Sequence, residues 1–356
     1  MCQIPASGTR PRSTLQIPRS PDRAAAPGLH QLRGRSAQPP STNIGGVRQR
    51  LAVALTCTAA LAALAGCSNA GSTAIASTSI PTLSAGQKVT LTYCNHEQAR
   101  ITEPPVLRGR APVAVYVHGG SWVSGDYDTG GFIVNQIGPA LAAQGFVVVS
   151  VNYHLGPSGP WPAQIEDVKC AIRFLRANAA ALDVNPAEIG AWGQSAGGHL
   201  VGLLATASPA VGWDVGPYKA QSSRIQAVVD MAGPSDLLTM GDQGDSGLVQ
   251  DSFISLLGAV PPPRLGAALT AASPVTYVAK GDPPFLILHS DNDRIVYPQQ
   301  SQELSWDLSA NDVPNQLIMV KGAGHEFDQA GGSPNPAQIT ASVVNFLVQH
   351  LEPHQS

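Results

Sequence analysis

The chain has 356 residues, of which 43% are hydrophobic and 13% are charged, so it can bury a large core, and one large domain with a tail is expected. Residues 1–66 hold eight arginines and one acidic residue, which leaves 13 basic against 23 acidic side chains in the rest of the chain. This acidic balance, without a basic stripe or interleaved aromatic residues, argues against a nucleic-acid partner.

The first 46 residues are rich in Pro, Arg, Ser and Gln and poor in apolar residues, so we expect them to be disordered. They also precede an export signal, which normally starts within a few residues of its charged region. The sequence therefore predicts that translation starts at Val47, read from an alternative start codon.

The export signal is predicted over residues 47–66. Arg48 and Arg50 precede an apolar run, 51–65, that ends in small residues and is short for a membrane span. The run ends in "LAGC", which resembles a bacterial lipobox and implies a lipid on Cys67 that anchors the protein to the outer face of the cell membrane. An ordinary cleaved signal is the alternative. Residues 67–87 are small and polar and predict a flexible linker.

Strands and helices alternate in the predicted domain, residues 88–353. Strands are indicated by β-branched or alternating runs, and helices by apolar residues at helical spacing. The predicted strands are 88–94, 112–120, 146–153, 189–192, 225–232, 284–290 and 315–321, and the predicted helices are 162–182, 196–207 and 336–351. Strand followed by helix with short turns predicts an α/β fold with a mostly parallel sheet covered on both faces.

A candidate nucleophile lies between one of these strands and the helix that follows it. The stretch "GQSAG", residues 193–197, has the spacing and context of a nucleophile elbow with Ser195 at its tip. Glycine is needed two residues before and two after the serine, because side chains there would collide with their neighbours. A structural glycine turn is the alternative.

A serine nucleophile needs a base and an orienting acid, and both types of residue follow in the chain. "FLILHSDNDRIV" offers Asp291 and Asp293 after a late strand, and "VKGAGHEF" offers His325 after the next strand. The order is therefore serine, aspartate, histidine, as in hydrolases built on a parallel sheet.

Five strings across residues 112–327 resemble the α/β-hydrolase superfamily, and within it the hormone-sensitive-lipase-like and bacterial acetyl or feruloyl esterase-like carboxylesterases. They are "HGGSWVSGD", "VNYHLGPSGPWPAQIEDVKCAIRFLRANAAAL", "GQSAGGHL", "ASPVTYVAKGDPPFLILHSDND" and "GAGHEF". The resemblance implies an α/β-hydrolase fold with a small cap and a triad of Ser195, Asp293 and His325. It favours Asp293 over Asp291 by alignment of residues 289–296, in which Ser290 replaces a usual glycine.

The resemblance also implies an oxyanion hole made of backbone amides. "HGGSW" follows a strand, and its Gly119 and Gly120 amides, with the amide of Ala196, are the expected donors. The Ser121 amide is an alternative to one of them, because related esterases often have a third glycine there. An ordinary tight turn is the structural alternative for this string.

Several other residues invite a functional interpretation. Trp122 is expected to bind substrate as part of the pocket wall, although tryptophan in an apolar segment more often belongs to the core. His118 is expected to brace the oxyanion loop and His199 to be packed in its helix. His289, with the two nearby aspartates, has no further ligand near in sequence, so neither a metal nor a cofactor is expected.

Cys94 and Cys170 are the cysteines left once Cys2 and Cys57 are removed with the leader and Cys67 is lipidated. A buried free thiol is the expectation for Cys170, which lies on the apolar side of its helix. A disulfide between the two is the alternative in an exported protein.

The sequence thus predicts a serine carboxylesterase that acts on small or short-chain esters through an acyl-enzyme, with no partner beyond its substrate and the membrane. Residues 88–111 are too few for an N-terminal cap, so residues 236–275 are expected to cover the pocket. A serine peptidase or amidase, and a non-catalytic envelope protein that binds a ligand, are the alternatives. The sequence does not predict the oligomeric state.

Overall fold

The structure is a computed structural model that describes residues 80–106, 109–131, 134–243, 246–327 and 331–351. The predicted disordered segment, start at Val47, export signal and lipidated Cys67 lie outside these residues, as does most of the predicted linker. In the described part of the chain, no helix has both the length and the apolar character needed to cross a bilayer.

The end of the predicted linker lies against the folded body. Ile80 and Leu83 are partly buried against the core, and the amide of Gly86 donates to the carbonyl of Pro104 at 2.9 Å. The folded unit therefore extends several residues before Lys88, where the sequence places its start.

Eight strands form one sheet in the order β1-β2-β4-β3-β5-β6-β7-β8. The β1–β2 and β2–β4 pairs are antiparallel, and the other neighbours are parallel. The strands are β1 Lys88–Thr92, β2 Gln98–Thr102, β3 Ala111–Val117, β4 Val147–Val151, β5 Val184–Gln194, β6 Ala227–Met231, β7 Phe285–Ser290 and β8 Asn315–Val320.

Helices cover both faces of this sheet. Three of them, α4, α5 and α6, belong to the chain segment that connects β6 to β7, and α4 contacts the other two. The helices are α1 Val134–Ala143, α2 Ala163–Ala177, α3 Ala196–Thr206, α4 Leu237–Gln243, α5 Ser246–Leu257, α6 Pro262–Ala271, α7 Gln299–Ala310 and α8 Pro336–His350. The predicted α/β-hydrolase architecture, a mostly parallel sheet between two helical layers, is confirmed.

The central strands are apolar because both of their faces are covered. Every residue of β3, β6 and β7 is buried. One core cluster joins the sheet to α2 and α3, for example through Ile172 and Leu200, and the other joins it to α1 and α8, for example through Leu141 and Val343. Continuous apolar strands of this kind are typical of parallel sheets. Loops at the carboxyl ends of the parallel strands meet at one edge, where α/β proteins place their sites.

Cys94 and Cys170 form a disulfide, with their Cα atoms 6.1 Å apart. The expectation of a free thiol at Cys170 is therefore wrong. The short turn between β1 and β2 places Cys94 against the side of α2 that carries Cys170, so the two side chains meet although 76 residues separate them.

Removal of this disulfide is expected to lower the free energy of unfolding by roughly 2–4 kcal/mol, because the unfolded chain regains the freedom of a long loop. Urea denaturation of the wild type with and without reductant measures the change. A Cys94→Ala/Cys170→Ala variant is the control, since its stability should not respond to reductant. Equal wild-type stability under both conditions would contradict a stabilising bond.

Candidate active site

Ser195 stands alone between the end of β5 and the start of α3. Its backbone has φ 57° and ψ −123°, a conformation that costs a non-glycine residue free energy and is found where structure or function imposes it. Two backbone hydrogen bonds hold it there: its amide donates to Met231 at 2.9 Å, and its carbonyl accepts from the His199 amide at 3.0 Å. This strained backbone at a turn from strand to helix is the geometry expected for the predicted nucleophile elbow.

Gly193 and Gly197, on either side of Ser195, are required because each lies too close to other backbone atoms to carry a side chain. A Cβ on Gly197 would lie 2.0 Å from the Val117 carbonyl oxygen, and a Cβ on Gly193 would lie 2.5 Å from the Gly197 carbonyl carbon. Neither backbone can yield to a side chain, so the two glycines let the turn approach the sheet.

His325 and Asp293 are hydrogen-bonded, with 2.6 Å between the imidazole Nδ1 and the carboxylate Oδ2. Both residues are buried. The other oxygen of Asp293 accepts from the amides of Ile295 at 2.8 Å and Val296 at 3.0 Å, which fixes the carboxylate in its turn. The Nε2 atom of His325 is left for a proton donor.

The pKa of Asp293 lies well below its usual range. Burial by itself raises this pKa, but hydrogen bonds from His289 and His325, together with the charge of His325 when protonated and the Ile295 amide, outweigh burial. Asp293 is therefore an anion at neutral pH, able to hold the imidazole in one tautomer and to stabilise its positive charge.

Asp291, the alternative acid, has a different partner. Its Oδ1 accepts from the Gly322 amide at 2.8 Å, and its own amide donates to Val320 at 3.0 Å. Asp291 thus connects the loop after β7, which carries Asp293, with the loop after β8, which carries His325.

His289 supports the acid turn and does not form a metal cluster with the aspartates. Its Nδ1 is 2.6 Å from the Ser301 hydroxyl, while its Nε2 is 2.8 Å from the Val296 carbonyl and 3.3 Å from Asp293. Both ring nitrogens are therefore occupied by protein partners.

One group in the described ranges has the composition and spacing for a metal, namely Glu97, His154 and Asp167, whose ligand atoms lie within 4.8 Å of one another. His154 Nδ1 is 2.6 Å from an Asp167 oxygen that also accepts from the His154 amide, and Asn95 donates to the other oxygen. The arrangement is an ion pair that joins α2 to the loops after β1 and β4.

Ser195 and His325 line the same pocket, which has a volume of about 270 Å³. Neither Ser195 Oγ nor His325 Nε2 is hydrogen-bonded to the other or to another described residue, as is common without substrate. The remaining described lining residues are Tyr116, Gly119, Gly120, Ser121, Thr129, Gly130, Gly131, Gln194, Ile295 and Glu326. None of them belongs to the 236–275 segment that was expected to cover the pocket.

Residues 236–275 pack beside the pocket instead of covering it. Helix α5 of this segment contacts the loop after β4, where the Trp161 amide donates to the Leu256 carbonyl at 3.0 Å. The three helices therefore form the insertion expected between β6 and β7, but their described side chains do not line the space above Ser195.

Two of the three predicted oxyanion donors, Gly119 and Gly120, line the pocket with Ser195, and the third, Ala196, follows the serine in the chain. A Cβ on Gly119 would lie 3.4 Å from the Ser195 Cβ, and Gly120 has φ +112° in a turn that leaves no room for a side chain. The amides of both glycines donate no hydrogen bond to a described residue. Ala196 begins α3, so its amide has no acceptor inside the helix. Free amides at a helix start next to the serine suit a developing oxyanion. Ser121, the alternative donor, lines the same pocket.

Trp122 lies in the core and not in the pocket wall, which corrects the expected substrate contact. It is 2% exposed, and its Nε1 donates to His199 Nδ1 at 3.2 Å. The Nε2 of His199 donates to the Ala272 carbonyl at 2.7 Å, so the ring must be neutral, and burial lowers its pKa to about 4. His199 thus supplies the hydrogen-bond acceptor that the indole N–H of buried Trp122 needs.

His118 braces the oxyanion loop, as the sequence predicts. Its ring stacks on Tyr153 with centroids 4.3 Å apart, and its Nδ1 donates to the Gly119 carbonyl at 2.7 Å. Burial lowers the pKa of His118, so the neutral ring is favoured.

Two residues that line the pocket, Gln194 and Glu326, are absent from the predictions. Gln194, which precedes the serine, donates to the His325 carbonyl at 2.9 Å and to the carboxylate of Glu326 at 3.3 Å. Gln194 thereby fastens the histidine loop to the elbow. The sequence carries a weak signal for it, since position 194 lies inside the elbow motif, but the partner 131 residues away is invisible there.

Comparison with known proteins gives a family and a fold for this arrangement. The family described as BD-FAE matches residues 100–308. A probable carboxylic ester hydrolase of Mycobacterium tuberculosis, LipM, is 30% identical over 254 residues, which are 68% of this chain and 55% of the relative.

Two solved structures are similar over most of the described chain. A truncated carbohydrate esterase from gut microbiota is 26% identical with a TM-score of 0.63, covering 75% of this chain and 98% of that one. The butyrate-bound esterase Est2 of the planctomycete Thermogutta terrifontis is 25% identical with a TM-score of 0.60, covering 75% and 96%. The chain spans about half the length of the first curated relatives it matches, 55% in each case.

Proposed function

The chain belongs to the BD-FAE family, and from this premise we propose that it is a serine carboxylesterase with Ser195, His325 and Asp293 as its triad. The observation that carries the proposal is the juxtaposition at one pocket of a strained serine and a histidine bound to a buried aspartate at 2.6 Å. The names of the similar proteins, an ester hydrolase and two esterases, support the reaction class.

The proposed reaction runs through an acyl-enzyme. His325 Nε2 removes the Ser195 proton while Oγ attacks the ester carbonyl carbon, and the amides of Gly119, Gly120 and Ala196 stabilise the oxyanion. The tetrahedral intermediate collapses, the alkoxide leaves with the proton from His325, and the acyl group stays on Oγ. Water, deprotonated by His325, then attacks the acyl carbon and releases the carboxylic acid. The chemistry uses no group from outside the chain other than water.

The pocket suits short acyl groups. Its volume of about 270 Å³ is near the lower end of small-molecule sites, and Ile295 is the one aliphatic side chain among the described lining residues. Apolar surface for a long chain is thus scarce. The butyrate found in the similar Est2 structure supports the same size class.

A series of p-nitrophenyl esters tests the reaction and the size of the acyl group. We expect kcat/KM to be highest from acetate to butyrate and to fall by at least about tenfold at laurate, because a pocket of about 270 Å³ cannot enclose the longer acyl chain, which would collide with the pocket wall. p-Nitroacetanilide is the control for amidase activity. A rise in kcat/KM toward laurate would contradict a short-acyl pocket, and absence of any ester hydrolysis would contradict the esterase proposal.

We further propose that the protein acts outside the cytoplasmic membrane, held by a lipid on Cys67. The lipobox-like "LAGC" supports the anchor, and the disulfide between Cys94 and Cys170 supports export to an oxidising compartment. In the producing cell, Cys67→Ser is expected to move the protein from the membrane fraction to the soluble one. An unchanged distribution would argue against the anchor.

A further inference from the structure

Glu326 gives the catalytic pocket a negative wall. It directly follows the base His325, and it is the single carboxylate among the described lining residues. The same described lining contains neither lysine nor arginine, so no cation of the pocket itself offsets the charge.

The carboxylate is held at a defined place. Its Oε2 accepts from Gln194 Nε2 at 3.3 Å, beside the nucleophile. A Cβ on Gly131 would lie 2.7 Å from the same oxygen, so the carboxylate also lies close to the pocket wall formed by residues 129–131. Glu326 therefore lies between the elbow and this wall, within the space that a substrate enters.

A second carboxylate, that of Asp126, lies next to the pocket lining. Thr129 of the lining donates to the carboxylate of Asp126 at 3.1 Å. Arg100 pairs with Asp128, whereas Arg294 donates at 3.4 Å to the neutral amide of Asn292 and keeps its positive charge, which is exposed to solvent and screened there. No described basic side chain forms an ion pair with Glu326, and the body as a whole is acidic, with 13 basic against 23 acidic residues after residue 66.

We propose that Glu326 makes the pocket select esters that carry a positively charged ammonium group near the scissile bond over neutral and anionic esters of the same shape. This inference rests on the proposed esterase function. Glu326 is exposed to solvent at the pocket wall, so water and salt screen its charge, but at a distance of a few ångströms its carboxylate still attracts a cation and repels an anion. Tyr116 is the one aromatic residue other than His325 among the described lining residues of the same pocket.

Three matched thioesters test the selection: acetylthiocholine, its neutral isostere 3,3-dimethylbutyl thioacetate, and the anion S-acetyl-3-mercaptopropanoate. The measured quantities are the ratios of kcat/KM for the cation and for the anion to that for the neutral ester. Glu326→Gln removes the charge, and its amide oxygen can still accept from Gln194. We expect the cation ratio to fall roughly three- to tenfold in this variant and the anion ratio to rise by a similar factor.

Asp312→Asn is the matched control for the loss of one negative charge. Asp312 precedes β8 at the edge of the sheet away from the site, forms an exposed pair with Lys280 at 3.0 Å, and has a positive φ that asparagine tolerates. The cation and anion ratios of kcat/KM measured for Asp312→Asn should equal those of the wild type. Raising the salt from about 0.05 M to about 0.5 M should lower the cation ratio of the wild type and hardly affect that of Glu326→Gln.

Two outcomes would overturn the role of Glu326: unchanged ratios in Glu326→Gln, or an equal fall of kcat/KM for all three esters, which would mark a structural residue. Both are distinct from failure of the proposed function. If the wild type hydrolyses the neutral ester no faster than Ser195→Ala, the chain is not an esterase for such substrates, and the selectivity proposal falls with it.

Discussion

Ser195→Ala is expected to lower kcat for p-nitrophenyl butyrate by about 10⁴- to 10⁶-fold without unfolding the protein. The hydroxyl is the proposed nucleophile, and no other group of the triad can replace it. The fold should persist because the bonds that hold the elbow are made by the backbone of this residue, with Met231 and His199, and its Oγ has no hydrogen bond to a described residue. Initial rates and a thermal melt of both proteins measure the two effects.

Ser121→Ala is the control for this substitution, because it removes another hydroxyl from the same pocket and keeps the backbone amide. Its kcat should fall by less than about tenfold, since no charge develops on that hydroxyl. Retention of more than about 1% of wild-type kcat in Ser195→Ala, after exclusion of contaminating esterase, would contradict the assignment of the nucleophile.

Asp293→Asn is expected to lower kcat by about 10³- to 10⁴-fold. An asparagine oxygen can still accept from the Ile295 and Val296 amides, so the turn should be kept. The neutral amide, however, no longer stabilises the imidazolium and permits the wrong tautomer of His325. Steady-state kinetics of the purified variant measures the loss.

Asp291→Asn provides the comparison two residues away. Its oxygen can still accept from the Gly322 amide, and it does not touch His325, so kcat should stay within about tenfold of the wild type. The reverse result, with Asp291→Asn as the more damaged variant, would transfer the acid to Asp291 and refute the alignment that favoured Asp293.

The strands of the parallel sheet are predictable because their physics is local. Runs such as β6 and β7 are mostly apolar and are buried at every residue, because both faces of the sheet are covered. β2 is not predicted: "QARIT" has polar residues on one face and is defined by pairing with β1 and β4. α1 is equally hidden, since it contains Gly138 and Pro139, and α7 begins with "QQSQ".

The site divides in the same way. The elbow is predictable because its motif depends on neighbours in sequence, and Asp293 and His325 are predictable because each lies in a short string after a predicted strand that resembles the family. The disulfide, the bond from Gln194 to the histidine loop and the burial of Trp122 depend on contacts between residues 76 or more positions apart. Periodicity and motif spacing carry no information about such contacts, so the residue types alone favoured a free thiol and a substrate-facing tryptophan.

The hydrogen bond from Gly322 to Asp291 has a consequence for how related chains should be compared. In "HSDND" Asp293 is the proposed triad acid and Asp291 joins two loops, although the two aspartates are only two residues apart. A relative with alanine in place of Asp291 would keep all three proposed triad residues and would still be found by any search for them. The loops after β7 and β8 would then lack this hydrogen bond, so related chains should be compared at Asp291 as well as at the three proposed triad residues.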